Sequence, residues 1–276
     1  MNNQIDSLFS LNNQTAVITG GSGTLGRGMA LGLAAAGARV VILGRRLDAC
    51  ERVADEIRAA GGQSLGLACD VGKLSELEQA VAQVQSTFGP TQILVNAAGG
   101  NQLAATVTAE QSFFDLKPPA IQEIFASNFT GTFQACQVFG RVMAEHKQGI
   151  IVNIVSMASL RPLGRIVGYS AAKAAAQNLT QWLAVHMAQT YSPQIRVNAI
   201  APGFFLAEQN RALLVNAETG AWTERAQKIL AHTPMGRLGM PEDLVGTLLW
   251  LVSPASTFVT GIVVPVDGGF SAYSGL

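Results

Sequence analysis

Apolar residues along the chain follow two alternating spacings. Short apolar runs, most of them rich in β-branched residues, recur at 15–19, 39–43, 65–68, 93–96, 150–155, 195–200 and 262–266, and read as strands. Between them, apolar positions three and four apart mark helices at 25–36, 48–60, 75–88, about 121–147 and 169–190, with another opening at Pro241. Gly37, Gly61-Gly62 and Gly89-Pro90 stop the first three, and Ser75-Glu76-Leu77-Glu78 has the capping-box pattern. A polar segment containing Pro118-Pro119 precedes the 121–147 helix, and 204–239 shows no sustained period, so it is expected to be irregular. Strand and helix alternate without internal repeat. The pattern therefore predicts an α/β fold, a doubly wound seven-stranded parallel sheet with helices on both faces, whose ligands bind beyond the carboxyl ends of the strands.

Composition narrows this picture. The 276 residues contain no proline-rich, charged or low-complexity linker, which predicts one domain spanning 1–276. Net charge is zero and only 13% of residues are charged, leaving no electrostatic footprint for nucleic acid or an anionic membrane. Hydrophobic residues make up 49%, so both a covered sheet and subunit contacts are expected, the latter around 177–185 and at Trp250, Phe258, Phe270 and Tyr273. The most apolar stretch, 244–252, falls far short of the roughly 18 residues a membrane span needs. Residues 1–10 are polar, with Asp6, unlike a secretory signal. Cys50, Cys69 and Cys136 are scattered and in no ligand spacing, as are His146, His186 and His232; a reducing, cytoplasmic setting and no metal are expected.

Candidate chemistry clusters at three places. Thr19-Gly20-Gly21-Ser22-Gly23-Thr24-Leu25-Gly26 joins the first strand to the first helix, where glycines let backbone amides approach a phosphate at a helix N-terminus. The next strand runs into Gly44-Arg45-Arg46 without the acidic residue that would bind a ribose 2′-hydroxyl. Two guanidiniums suit a 2′-phosphate, so NADP(H) is expected over NAD(H), with NAD(H) still possible. The third place is Tyr169-Ser170-Ala171-Ala172-Lys173, where residues four apart share a helix face and the Lys173 ammonium can approach the phenol. Bringing that phenol from about 10 to about 7 takes roughly 4 kcal/mol, within reach of one desolvated cation and a second positive group. Tyrosine and lysine also meet at this spacing on solvated helices. Ser156, thirteen residues earlier at the end of the 150–155 strand, adds a hydroxyl that can bind the oxygen Tyr169 protonates.

Together these motifs resemble the short-chain dehydrogenase/reductase family over about 13–270, in order along the chain. The resemblance implies a Rossmann fold with a cofactor half at about 13–155, a catalytic and substrate half at about 156–270, and a substrate loop at 204–239. It implies that Tyr169 transfers the hydroxyl proton, Ser156 polarises the carbonyl, Lys173 lowers the Tyr169 pKa and holds the ribose, and Asn128 anchors a water of the proton relay. Cofactor contacts are implied at Gly20, Ser22, Gly23, Thr24, Leu25, Gly26, Arg45 and Arg46. Asp70 and Val71 would meet the adenine; of the cofactor-side residues Asn96, Ala98 and Gly99, Asn96 would hold the central sheet together and Gly99 let the ribose pass; Pro202, Gly203 and Phe205 would meet the nicotinamide. Three positions depart from the family pattern: Thr24 replaces a glycine, Ala97 an asparagine and Ala207 a threonine. Val266-Asp267-Gly268-Gly269 resembles a structural turn, and the family's usual assembly implies a homotetramer or homodimer.

For the substrate, Arg161 and Arg165 lie between Ser156 and Tyr169, Asn101 follows Gly99-Gly100, and Glu208-Gln209-Asn210-Arg211 follows Pro202-Gly203. Arginines with amides suit a carboxylate and several hydroxyls. The runs from Val95 to Gln102 and from Ala201 to Arg211 are similar to the branch acting as mannonate oxidoreductase or fructuronate reductase. A keto sugar acid bound through Asn101, Ser156, Arg161, Arg165, Tyr169 and Arg211 is the resulting expectation. The competing reading is a reductase of another ketone, such as a 3-oxoacyl or small polyol substrate; a more remote one is a nucleotide-binding protein that has lost its chemistry.

Overall fold

The computed structural model describes residues 2–275, with the side chains of residues 2–4, 6, 208, 209 and 212 outside the description. The cofactor half runs α1 (Asn2–Phe9), β1 (Thr15–Thr19), α2 (Thr24–Ala35), β2 (Arg39–Gly44), α3 (Leu47–Ala59), β3 (Ser64–Ala68), α4 (Leu74–Phe88), β4 (Ile93–Asn96), α5 (Pro118–Phe125), α6 (Gly131–Glu145) and β5 (Gly149–Ile154). There follow α7 (Met157–Leu160), α8 (Val167–Thr190), β6 (Ile195–Pro202), α9 (Glu208–Leu214), α10 (Glu224–Ala231), α11 (Val245–Val252) and β7 (Val263–Val266). The strands form one parallel sheet in the order β3-β2-β1-β4-β5-β6-β7, so the winding reverses between β1 and β4. In such a sheet that reversal opens the binding crevice.

Alternate residues of each strand face opposite layers. Ala16 and Ile18 of β1 pack with Met29, Leu33 and Leu248 under α2 and α11, while Val17 packs with Leu77, Phe139 and Met187 under α4, α6 and α8. Both faces are apolar, which is why the strands read as continuous hydrophobic runs. A buried polar chain crosses the centre. Asn96 and Asn153 lie opposite each other in the β4–β5 register; Asn96 Nδ2 donates to Asn153 Oδ1 (2.9 Å), and Asn153 Nδ2 to Thr180 Oγ1 on α8 (2.9 Å).

Several elements differ from the sequence reading. The expected 121–147 helix begins at Pro118, because proline is acceptable in a first turn, and is interrupted by a π-helical turn at Ala126–Thr130. Ser75 caps nothing: α4 starts at Leu74, and Glu76 instead accepts from the Asp70 backbone amide (2.7 Å) and from Lys73 Nζ (2.8 Å). The helix at Pro241 opens as a 3₁₀ turn over Pro241–Leu244 before α11. The stretch 204–239 is not irregular but a small cap built from α9 and α10, where Leu214, Ala226, Ile229 and Leu238 form a core of their own. Its helices are too short for periodicity to stand out. Of the expected contact residues, Trp182, Val185 and Phe258 are exposed, whereas Phe270 packs edge-on against Phe204 (5.1 Å) and Tyr273 lies beside His232. Asp267 closes the last turn by accepting from Gly269 and Ser271 amides (2.9 and 2.8 Å). No helix among the described residues is long and apolar enough to cross a membrane.

Candidate functional site

The turn from β1 to α2 lies at the point where the sheet reverses. Gly20 has φ +65°, and a Cβ there would sit 2.7 Å from Ala98 Cα; one on Gly26 would overlap the Gly20 carbonyl. Ala97 and Ala98 amides donate to Thr19 (3.1 and 3.2 Å), fixing the β4 end against β1. The α2 N-cap, Gly23, brings no side-chain acceptor to the first turn at Thr24 and Leu25. Such a helix start carries amide donors and positive dipole toward an anion. This cradle of bare backbone fits a dinucleotide pyrophosphate. Ser22 lies at the end of β2, since a Cβ on Gly44 would be 2.9 Å from both Ser22 Oγ and Cys50 Sγ. The adjoining Arg45 and Arg46 are exposed and, among the described residues, unpaired with any carboxylate.

Beyond β3, Asp70 Oδ1 accepts from the Gly72 amide (3.0 Å), an Asx-type turn, and Val71 packs against Gly131 of α6. Asn96 Nδ2 is engaged inside the sheet, as described, while its buried Oδ1 has no partner among the described residues. Gly99 has φ +138°; a Cβ on it would overlap Asn128 Oδ1 and lie 3.5 Å from Lys173 Nζ. Gly203, bonded to Val266 O (2.9 Å), has no space for a Cβ beside Asp267. Phe205 is buried in the core with its ring on Gly239, so it offers a cofactor backbone and not its ring.

The side-chain chemistry gathers at the end of β5. Ser156 caps α7, its Oγ accepting from the Ala158 amide (3.1 Å). Lys173, 5% exposed, donates to the Ile154 carbonyl (2.8 Å) and lies 5.8 Å from the Tyr169 ring centroid. Burial pushes the Tyr169 phenol up, with a hydrogen bond to Ser156 working against it. Burial also pulls Lys173 down to about 8 from 10.5. The expected depression of the phenol by Lys173 is therefore absent from the chain on its own, because desolvation disfavours both charges and the ammonium is turned to a carbonyl. The buried Asn128 ties the π turn to the connection beyond β4. Its side chain grips Gly100 from both sides, Oδ1 accepting from the Gly100 amide (3.0 Å) and Nδ2 donating to the Gly100 carbonyl (2.8 Å), and Nδ2 also donates to Ile124 O (2.9 Å). The partner carbonyl of Ile154 and the clamped Gly100 escaped the sequence reading; the doubled Gly99-Gly100 was the available signal for the second.

The proposed substrate residues are less closely gathered. Asn101 Nδ2 donates to Thr106 Oγ1 (2.8 Å) on the connection after β4. Arg161 follows α7, Arg211 stands on α9 and Arg165 lies in the loop before α8, all three exposed and unpaired with carboxylates among the described residues. The side chains of Glu208 and Gln209 lie outside the described residues.

Residues 14–217 match the short chain dehydrogenase family. The chain belongs to that family. This short-chain dehydrogenase is 48% identical to the uncharacterized oxidoreductase UxuB of Bacillus subtilis (strain 168), over 97% of this chain and 98% of that one. It superposes on a candidate D-mannonate oxidoreductase of Haemophilus influenzae with bound NAD at TM-score 0.91 and 41% identity, covering 99% of this chain and all of the other. A gluconate 5-dehydrogenase of Burkholderia cenocepacia J2315, complexed with NADP and tartrate, matches at TM-score 0.86 and 30% identity over 98% and 99% of the two chains. The short-chain dehydrogenase is thus an oxidoreductase acting on CH–OH groups with a nicotinamide cofactor.

Proposed function

We propose that the enzyme interconverts a keto sugar acid, such as fructuronate, and its hydroxy acid, with NADP(H) preferred over NAD(H). The observation that carries this reading is the Tyr169 phenol hydrogen-bonded to Ser156 at the end of β5, with Lys173 beside Gly99 at the same sheet edge as the β1–α2 cradle. The cradle of Gly20, Gly23 and Gly26 with the Thr24 and Leu25 amides would hold the pyrophosphate, and Ser22, Arg45 and Arg46 a 2′-phosphate. When bound, the cofactor supplies or accepts hydride at its nicotinamide carbon. Ser156 holds the substrate oxygen. Tyr169, kept neutral by burial, gives that oxygen its proton, which suits the chain to reduction. Lys173 holds the ribose and shares the proton path, while Asn128 positions Gly100 and with it the floor of the site.

Arg161 and Arg211 flank this edge from α7 and α9, and we infer that they take the carboxylate, with Asn101 toward the hydroxyls. The D-mannonate and gluconate names of the two structural neighbours support a sugar-acid substrate. Exposed Phe133 on α6, with Trp182 and Val185 on α8, supports the expected homo-oligomer. Turnover of fructuronate, 5-ketogluconate, uncharged ketones and 3-oxoacyl thioesters with both cofactors tests the substrate. Keto acids should lead, and Arg161→Ala or Arg211→Ala should each lower kcat/KM for them at least about tenfold, the scale of a lost charge-assisted bond. Faster turnover of uncharged ketones would reject the reading.

A further inference from the structure

The short connection from β3 to α4 carries a donor and an acceptor that the fold itself does not use. Cys69, the first residue past β3, donates its amide to the Gly44 carbonyl (2.8 Å), which ties the connection to the end of β2 and so to Ser22. Beyond it the chain turns on Asp70. The Asp70 carbonyl accepts from the Lys73 amide (2.9 Å), Asp70 Oδ1 accepts from the Gly72 amide (3.0 Å), and the Asp70 amide donates to Glu76 Oε2 (2.7 Å). Along 70–73 the Val71 amide alone is left without a partner among the described residues, and Asp70 Oδ2 is equally unbonded among them.

An acceptor and a donor on adjacent residues make an edge that can read a base. Adenine presents its complement, an amino group beside a ring nitrogen that accepts. The oxo base hypoxanthine presents the reverse, an oxygen acceptor beside a ring N–H. The edge stands at the carboxyl ends of the strands, two strands and so roughly 10 Å from the β1–α2 cradle, on the side where the adenosine of a dinucleotide would lie.

What fixes this edge comes from outside it. The Val71 side chain is pinned against α6, where a Cβ on Gly131 would fall 2.4 Å from Val71 Cγ2. Asp70 is held from α4. Lys73 at the N-cap makes no side-chain cap, and Glu76 in the first turn reaches back past it, accepting from the Asp70 amide on one carboxylate oxygen and from Lys73 Nζ (2.8 Å) on the other. Lys73 and then the Asp70 amide hold the Glu76 carboxyl below the usual range, so it is ionised and accepts on both oxygens. We propose that Glu76 is a positioning residue for adenine recognition: its carboxylate, steadied by Lys73, sets the Asp70 turn so that Asp70 Oδ2 and the Val71 amide read the amino edge of the cofactor's adenine and turn away an oxo base. The inference rests on the adenine lying at Asp70 and Val71, and is independent of the substrate and of the 2′-phosphate.

Fluorescence titration of the full-length enzyme with NADH and with reduced nicotinamide hypoxanthine dinucleotide, which differ only in the base, tests it. The wild type should bind NADH at least about tenfold tighter, because a site built to bond an amino group rejects the analogue that lacks it. Glu76→Ala should bring the two Kd values within about threefold of each other by weakening NADH. Glu76→Gln, whose amide oxygen still accepts from the Asp70 amide, should keep most of the discrimination, and Asp70→Ala should abolish it. Loss of packing alone would raise both Kd values in step and leave their ratio standing; that outcome in Glu76→Ala overturns the proposal. A Glu76→Gln variant as indiscriminate as Glu76→Ala overturns it too, since the bond to Asp70 would then not be what matters. If the wild type binds both dinucleotides equally, or Asp70→Ala keeps the wild-type ratio, the adenine lies elsewhere and the proposal falls with that placement. Collapse in Asp70→Ala without collapse in Glu76→Ala leaves the placement and rejects the role of Glu76.

Discussion

At the end of β1 the chain offers a ligand only backbone, whereas at the end of β5 it offers side chains. The first place is shaped by atoms that are missing: Gly20, Gly26 and, across the crevice, Gly99 each lie where a Cβ would collide with neighbouring chain. The second depends on Ser156, Tyr169 and Lys173, held by the Ala158 amide, the Ser156 hydroxyl and the Ile154 carbonyl. Departures from the family pattern fall accordingly. Thr24 and Ala97 sit where the chain offers amides and bare backbone, so a changed side chain leaves those donors in place. None of Asn128, Ser156, Tyr169 and Lys173 is altered.

The contrast can be broken by experiment. Tyr169→Phe should lower kcat by about a hundredfold or more while NADPH still binds, because the ring stays and only the proton path goes; retention of a tenth of wild-type kcat, measured at saturating cofactor, would move the proton donor elsewhere. Gly99→Ala should act through binding instead. Its methyl group overlaps Asn128 Oδ1 at a φ of +138°, so the NADPH Kd should rise by about tenfold or more, read by fluorescence quenching. Arg45→Asp should weaken NADPH about tenfold and leave NADH nearly unchanged; equal losses for both cofactors would remove the 2′-phosphate from that arginine.

The smallest effect is on stability. Lys173 titrates at about 8 in the fold against an ordinary 10.5, so between those values the unfolded chain binds the extra proton and stability rises with pH. Below about pH 8 the buried ammonium costs its full amount. For cofactor-free protein, the Tm difference between wild type and Lys173→Met should therefore climb in favour of wild type from pH 8 to pH 10.5. A difference that stays flat across that window would mean that Lys173 is not desolvated.

What sequence reasoning reached follows the same division. Strands buried on both faces announce themselves as apolar runs, and their alternation with helices implies a parallel, doubly wound sheet. Ser156, Tyr169 and Lys173 are legible because strand end and helix spacing place them. The cap at 204–239 is not, since α9 and α10 are short and draw their order from a local core around Leu214 and Ile229. Nor is the state of the phenol: spacing puts Lys173 near Tyr169, but only the fold shows the ammonium turned to Ile154 and both groups desolvated. The split of 118–145 escaped for a related reason, because a π turn leaves composition untouched while changing which atoms meet.

That π turn makes the helix one residue longer than regular winding requires. Ala126–Thr130 accommodates the surplus, and Asn128 within it is locked to Gly100 on the connection beyond β4. Deleting a single residue there would restore ordinary pitch with α5 and α6 left nearly in place, yet it would turn the residues of the π turn itself and swing the Asn128 amide off Gly100. The segment is thus sensitive to its length as well as to the side chain at Asn128. Among related chains, insertions and deletions should gather in the cap and the 101–117 connection and spare Ala126–Thr130.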